Sequence, residues 1–357
     1  MIYRAIGIVS GSSLNGLDIA FTELHETTGK WTSEIVVSER VPYDSEWQKK
    51  LKTSSGLNAV DYYALNIEYG KYIAATVNAF IEKHQLHYRV QLIGFQGHIS
   101  FYYADRGICA QLGDPATIAA STGINVVSDI RSIDLALGGK GAPVFPVGEK
   151  LLFADEQFFL HIGSNAALSL HKPGQYKVLD AAPGNRLLDK LASKAGKSFD
   201  ENGKIAETGE IDAPILGLLN DLEYYSLPAP KFLSADFTTD VLLPLLAGID
   251  PASALRTACE HIAAQVASAA VGLGANRIMI SGGGANNAFL VSRITALLAE
   301  KGIGVVLPAP DVINFKEAVS MALLGVLRWR EENNVFGYIT GASRDSINGA
   351  VWIGQEA

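Results

Sequence analysis

The chain spells one local grammar twice, about a domain's length apart. Ile2 to Val9 is apolar, Ser10 to Gly16 is a turn of small residues, and Leu17 to Leu24 is apolar again. Later, Gln157 to Ile162 reads as a strand, Gly163-Ser164-Asn165 as a turn and Ala166 to His171 as the returning strand. A hairpin at the head of each half argues against a purely parallel, doubly wound domain. It predicts an α/β protein of two lobes, each a mixed sheet flanked by helices, packed about a shared cleft.

The segments between the hairpins fit that plan. The spacing predicts a helix over 59–83, with Val60, Tyr63, Ala64, Ile67, Ile73, Val77, Phe80 and Ile81 on one broad face. Buried strands follow at 90–95 and 124–127. A strand ending at Asp180 meets the turn Ala181 to Asn185, which leads into a helix with Leu187, Leu188, Leu191 and Ala192 inward. Asp250-Pro251 is a helix start, Leu255, Ile262, Val266 and Ala270 continue its buried stripe, and Gly274 ends it. A strand over 277–280 runs into Ser281-Gly282-Gly283-Gly284, with a helix from near Asn287 and a last one over 315–330. The first lobe is expected over 1–135 with a C-terminal segment of about 340–357, and the second over 136–339.

At 357 residues and 48% hydrophobic the chain suits two domains with substantial cores, and at 18% charged it does not suit extended disorder. Its net charge of −8, from 29 basic and 37 acidic side chains with no basic stripe, would repel a phosphodiester backbone, so nucleic acid is not an expected partner. No apolar run reaches the ~18 residues of a membrane span, and Met1 to Val9 reads as a strand rather than a signal peptide. Cys109 and Cys259 have no metal-ligand spacing; two isolated thiols suit a reducing compartment, so a cytoplasmic location is expected, with a single disulfide left open.

A phosphate needs convergent backbone N–H groups and close approach of the chain, which glycine permits. Ser10 to Gly16, Gly163 to Asn165, and Gly282 to Gly284 before a helix all qualify, although none is a Walker A loop or a dinucleotide fingerprint. Any one alone is equally a plain hairpin. Together they have the layout of an actin-like ATPase, in which two turns grip phosphates and a third backs the adenine.

Longer stretches carry a closer resemblance. Ser10 to Asp18 is similar to the SGTSLDGVD signature of anhydro-N-acetylmuramic acid kinases, and Leu112-Gly113-Asp114-Pro115 to that family's IGDP. Asp129-Ile130-Arg131 with Asp134, then Leu137 to Pro143, resembles DFRxxDxALGGQGAP. Asp180 to Asn185 resembles DTGPGN, Ser281 to Asn287 resembles CGGGxxN, and Lys316-Glu317-Ala318 matches a late KEA. These matches are colinear over nearly the whole chain.

The resemblance implies an actin-like kinase that uses ATP and Mg²⁺. It would open the 1,6-anhydro ring of anhydro-N-acetylmuramic acid with water and phosphorylate O6, in recycling of the bacterial cell wall. It implies that Asp180 is the general base. Gly11, Ser12, Ser13, Leu14, Asn15, Gly16, Leu17 and Asp18 would face phosphates and Mg²⁺, with Gly163 and Ser164 as the second turn. Gly282, Gly283, Gly284 and Asn287 would border the nucleotide, and His98, Arg131, Lys140 and Glu317 the sugar; no residue is assigned as a metal ligand. It also implies self-association through the second lobe.

The chain departs from the family pattern near the site. Asn15 replaces an Asp, SHGQT becomes Phe95-Gln96-Gly97-His98-Ile99, and NIGGIANLS becomes His161 to Ser169 with Ser164 for the second glycine. DTGPGN has Ala181 and Ala182 for its Thr and first Gly, and GGQGAP has Lys140 for Gln. These changes leave two alternatives: an active kinase, or a divergent homologue that binds sugar or nucleotide as a regulator. Asp18, Asp129 and Asp134 suit turn capping or pairing with Arg131 as well as metal. The Tyr62-Tyr63, Tyr102-Tyr103 and Tyr224-Tyr225 pairs are expected to be half-buried packing, and Trp329 a surface residue.

Overall fold

Apolar, β-branched runs bounded by small-residue turns become paired strands, because each turn brings its flanking runs side by side. In the computed structural model, which describes residues 1–354 apart from Ser12, Ser13, Pro230 and Ala235, β1 (Ile2–Ser10), β2 (Leu17–Thr27) and β3 (Lys30–Val41) form an antiparallel meander. The chain returns after helix Ala59–Lys83 as β4 (Leu92–Gln96), parallel to β1. β5 (His98–Tyr103) and β6 (Ile108–Leu112) make a separate hairpin, and β7 (Val126–Ser128) lies parallel to β4.

The next meander is β8 (Phe158–Ile162), β9 (Asn165–Lys172) and β10 (Gln175–Pro183). β11 (Arg277–Ser281) then pairs parallel to β8, and β12 (Gly304–Val306) parallel to β11. Finally β13 (Ala350–Trp352) joins β7 antiparallel. The sheet orders are β3-β2-β1-β4-β7-β13 and β10-β9-β8-β11-β12. Five strands of each sheet therefore share one order and one set of directions, three antiparallel followed by two parallel.

The chain divides into two compact units, 1–154 with 315–357, and 155–314. The first unit thus runs past the expected 135 and resumes well before 340. The reason is helix Pro310–Trp329, whose Ala318, Met321, Ala322 and Leu323 are buried with Ala5, Val9 and Leu92 in one cluster. A Cβ at Gly7 would collide with the Ala318 carbonyl and one at Gly94 with that of Met321, so glycine lets this helix sit directly on the backbone of β1 and β4.

In the second unit helix Pro251–Leu273 behaves as expected. Asp250 accepts from the Ala252 and Ser253 N–H groups, a cap that contributes about 1 kcal/mol, and Gly274 ends the helix at φ +72°. Leu255, Ile262, Val266 and Ala270 pack against Leu160, Leu168 and Leu179. Helix Ala59–Lys83 differs from expectation in its first half: Leu65, Tyr69, Ile73, Val77, Phe80 and Ile81 are buried, while Val60, Tyr63 and Ile67 are exposed. Apolar residues lie on both sides of its early turns. The inward side is the one carrying Tyr69, whose hydroxyl bonds that of Tyr43 at 2.5 Å inside the core. No helix among the described residues is long and apolar enough to cross a membrane.

Candidate functional site

In the second unit the turn and Asp180 are physically joined. The β9–β10 ladder slips between Asp180 and Ala182, leaving Ala181 as a bulge. Such an irregularity re-aims a side chain that a regular ladder would hold flat. Asp180 is 8% exposed. Its Oδ2 accepts from the Leu233 N–H at 2.9 Å and from the Asn165 amide at 2.8 Å, and no hydrogen bond to Oδ1 is made among the described residues. The backbone is pinned too: the Asp180 N–H donates to the Lys231 carbonyl, and Tyr224 donates its hydroxyl to the Asp180 carbonyl at 2.7 Å. Burial pushes the carboxyl above its ordinary value, against the Leu233 N–H, the Asn165 amide and the Arg186 charge, which pull it down.

The adjoining turn has its acceptors occupied. The Gly184, Asn185 and Arg186 N–H groups, at the start of helix Asn185–Lys194, donate to the carbonyls of Ser164, Gly163 and Ser164 in turn. The Gly163 and Ser164 carbonyls thus face N–H donors, while the Ser164 N–H has no partner among the described residues. That arrangement suits a phosphate even with serine in place of glycine.

The first turn is built differently. Ser12 and Ser13 lie outside the described residues. The Leu14 N–H donates to the Gly11 carbonyl at 3.3 Å, Leu14 sits at φ +56°, and Asn15 is exposed. Gly16 is at φ +150°, and a Cβ there would run into the Val41 carbonyl, so only glycine fits where the turn meets the end of β3. Leu17 is buried in the core. Asp18 is taken: Arg40 donates Nε to Oδ1 at 2.6 Å and Nη2 to Oδ2 at 2.9 Å. A two-pronged guanidinium leaves this carboxylate little capacity for a metal.

Among the four residues expected around a sugar, Arg131 has the most distinctive setting. It donates Nη1 to the Gly141 carbonyl at 2.6 Å and Nη2 to Gln96 Oε1 at 2.9 Å. Its buried Nε has no partner among the described residues, and no carboxylate there pairs with it. Burial lowers its pKa from the ordinary value, against the charges of nearby acidic groups, which raise it. Phe95, Gln96, Cys109, Gln111, Asp129 and Ile130 line a small cavity with it. The charge of Glu317, on helix Pro310–Trp329, is felt by Arg131 and by Arg40. His98 is half-buried, and burial depresses its imidazole against a backbone contact with Leu51. Lys140 is exposed, its carbonyl accepting from the Tyr102 hydroxyl at 2.6 Å.

The remaining acids resolve as structural. Asp134 is fully buried, accepting from Gly141 N–H at 2.7 Å and the Thr340 hydroxyl at 2.6 Å, so it ties down the glycine-rich run. Asp129 accepts from the Ser132 hydroxyl at 2.6 Å. In the third turn, a Cβ at Gly282 or Gly284 would crowd Ile162, whereas Gly283 faces nearly open space. The Asn287 side chain caps helix Ala288–Glu300 by accepting from the Leu290 N–H at 2.9 Å.

The residues not foreseen are Arg40, Gln96, Arg186 and the Leu233 N–H, together with the bond from Asn165 to Asp180. Arg40 faces Asp18 only through the β2–β3 register, and Leu233 reaches Asp180 across the fold, so neither leaves a local signal. Tyr224, expected as packing, also holds the backbone of Asp180.

A repeated three-antiparallel, two-parallel sheet, each copy opening on a strand–turn–strand, defines an actin-like α/β protein. Within that class the chain belongs to the anhydro-N-acetylmuramic acid kinase family, whose profile matches residues 3–354. Among solved structures it is similar to an activator of 2-hydroxyisocaproyl-CoA dehydratase from Clostridium difficile with bound ADPNP, at 13% identity and a TM-score of 0.46, over 92% of this chain and 96% of that one. It is also similar to a ROK family glucokinase from Streptomyces griseus in complex with glucose and AMPPNP, at 13% identity and a TM-score of 0.43, over 90% and 99% of the two chains.

Proposed function

We propose that the protein uses ATP to convert anhydro-N-acetylmuramic acid and water into N-acetylmuramic acid 6-phosphate and ADP, a step in cell-wall recycling. The observation that carries the proposal is Asp180, a buried carboxylate anchored through one oxygen only. The other oxygen takes a proton from water as the water oxygen bonds to C1. The C1–O6 bond breaks, and O6 takes the γ-phosphoryl group as ADP leaves. The raised pKa makes the carboxylate a stronger base than an exposed aspartate. Arg131 supports the choice of sugar, since a buried guanidinium without a carboxylate partner suits the lactyl carboxylate of the substrate.

Mg²⁺ bound with the nucleotide would supply positive charge against that of the phosphates. The described residues of the first turn do not fit it as a direct protein site: Asn15 is neutral and Asp18 is engaged by Arg40. The ion would enter with the nucleotide, keeping most of its waters. The same pair favours a second reading, in which a sugar- or nucleotide-binding regulator no longer turns over. Incubating the purified protein with Mg-ATP and the anhydro sugar decides between them. A 6-phosphate detected by phosphorus NMR supports the kinase, and its absence together with ligand binding by calorimetry supports the regulator.

A further inference from the structure

We infer that Asn165 positions Asp180, in place of an amide two residues further along the same strand. The inference deepens the assignment of Asp180 as base and rests on it. β9 and β10 pair so that Ala167 lies opposite Asp180, Ala166 opposite Ala182 and Asn165 opposite Pro183. Positions 165 and 167 point to one face of β9, so a side chain at 165 is the diagonal neighbour of Asp180. In the NIGGIANLS pattern the amide falls at the position of Ala167, and isoleucine at that of Asn165. Here asparagine stands at 165 and alanine at 167. Alanine donates nothing, and the amide two residues earlier reaches Asp180 Oδ2 at 2.8 Å.

Both amide hydrogens of Asn165 are used. The second goes to the Leu233 carbonyl at 3.0 Å, and Oδ1 faces Arg186 Nη1 at 3.4 Å. Flipping the amide would set its oxygen against a carboxylate and a carbonyl, so the neighbours fix its orientation. Asn165 thereby joins β9, β10 and the segment carrying Leu233. It stabilises the ionised carboxylate and holds it in one orientation, with Oδ1 left toward its target. The asparagine of this turn is thus a support for the base built from the turn itself.

The test is an Asn165→Ile variant beside the double variant Asn165→Ile/Ala167→Asn, with the Asp180 carboxyl followed by carbon NMR titration and turnover measured in parallel. The single variant should raise the Asp180 titration midpoint and cut neutral-pH turnover about tenfold. The double variant should return both toward the starting protein. Should the isoleucine variant not fold, Asn165→Ala makes the same titration measurement. An Asp180 midpoint unmoved in a folded single variant overturns the inference, whatever the activity. Full turnover by Asp180→Asn overturns the base assignment instead, so the two failures separate.

Discussion

Asp18 and Asp180 each lie beside the small-residue turn of their own unit, in sheets of the same strand order. Their partners differ in kind. Asp18 meets a guanidinium that binds both of its oxygens, whereas Asp180 meets neutral N–H donors on one oxygen and is enclosed enough to raise its pKa. A guanidinium bonded to both oxygens uses up a carboxylate's lone pairs. Amides on one oxygen orient a carboxylate and leave the other oxygen open, and burial is what gives it a reason to accept a proton. One duplicated framework therefore holds an acid committed to a cation in one unit and an acid with an unengaged oxygen in the other.

The sharpest way to break that contrast is Asp180→Asn. It keeps the shape and removes the base, so turnover should fall about a thousandfold in a coupled ADP-release assay. In the starting protein, kcat/KM should decline in acid with a midpoint above the ordinary aspartate value, because burial raises the group that must be ionised. Next in size is Arg131→Met, which should raise KM for the anhydro sugar roughly ten- to a hundredfold through loss of a charged hydrogen bond. An analogue lacking the lactyl carboxylate should lose far less. Equal losses for both sugars would show that Arg131 supports the fold and does not read the substrate.

The same aspartate carries a stability signature. Unfolded, its carboxyl titrates at the ordinary value; folded, it titrates higher. Between those values the folded state holds the extra proton, so stability falls as pH rises through the window and stays lower above it. Asp180→Asn should therefore melt above the starting protein at neutral pH by scanning calorimetry, with the gap closing below the ordinary aspartate pKa. A gap that does not change with pH would mean that burial is not what raises this group.

The parts legible in the sequence are those with local causes. The two hairpins, the Asp250 cap and the Gly274 stop of helix Pro251–Leu273 are specified by residues within a few positions of each other. Asp180 ends a strand legible in the sequence, and the role expected of it comes from the resemblance of 180–185 to a family motif. β3, the β5–β6 hairpin and β12 were not identified, and their half-exposed or very short runs leave little apolar signal. The buried side of helix Ala59–Lys83 was misplaced over Val60, Tyr63 and Ile67, since burial there is set by contact with a sheet rather than by periodicity. The Arg40–Asp18 pair depends on register between neighbouring strands, and the Leu233 donor on a segment far along the chain. Both are products of the tertiary fold.

The smallest expected effect tests the other half of the contrast. The Arg40–Asp18 side chains are 42% and 20% exposed, so solvent and salt screen their attraction. Asp18→Asn should cost less than about 1 kcal/mol in urea unfolding, with the cost shrinking as salt is raised. Turnover should change only a fewfold, because this carboxylate is committed to Arg40. A loss of about a hundredfold with unfolding unchanged would show that Asp18 leaves Arg40 when nucleotide arrives and works on the phosphate side. The two carboxylates would then differ in timing, one ready before substrate binds and the other released by it.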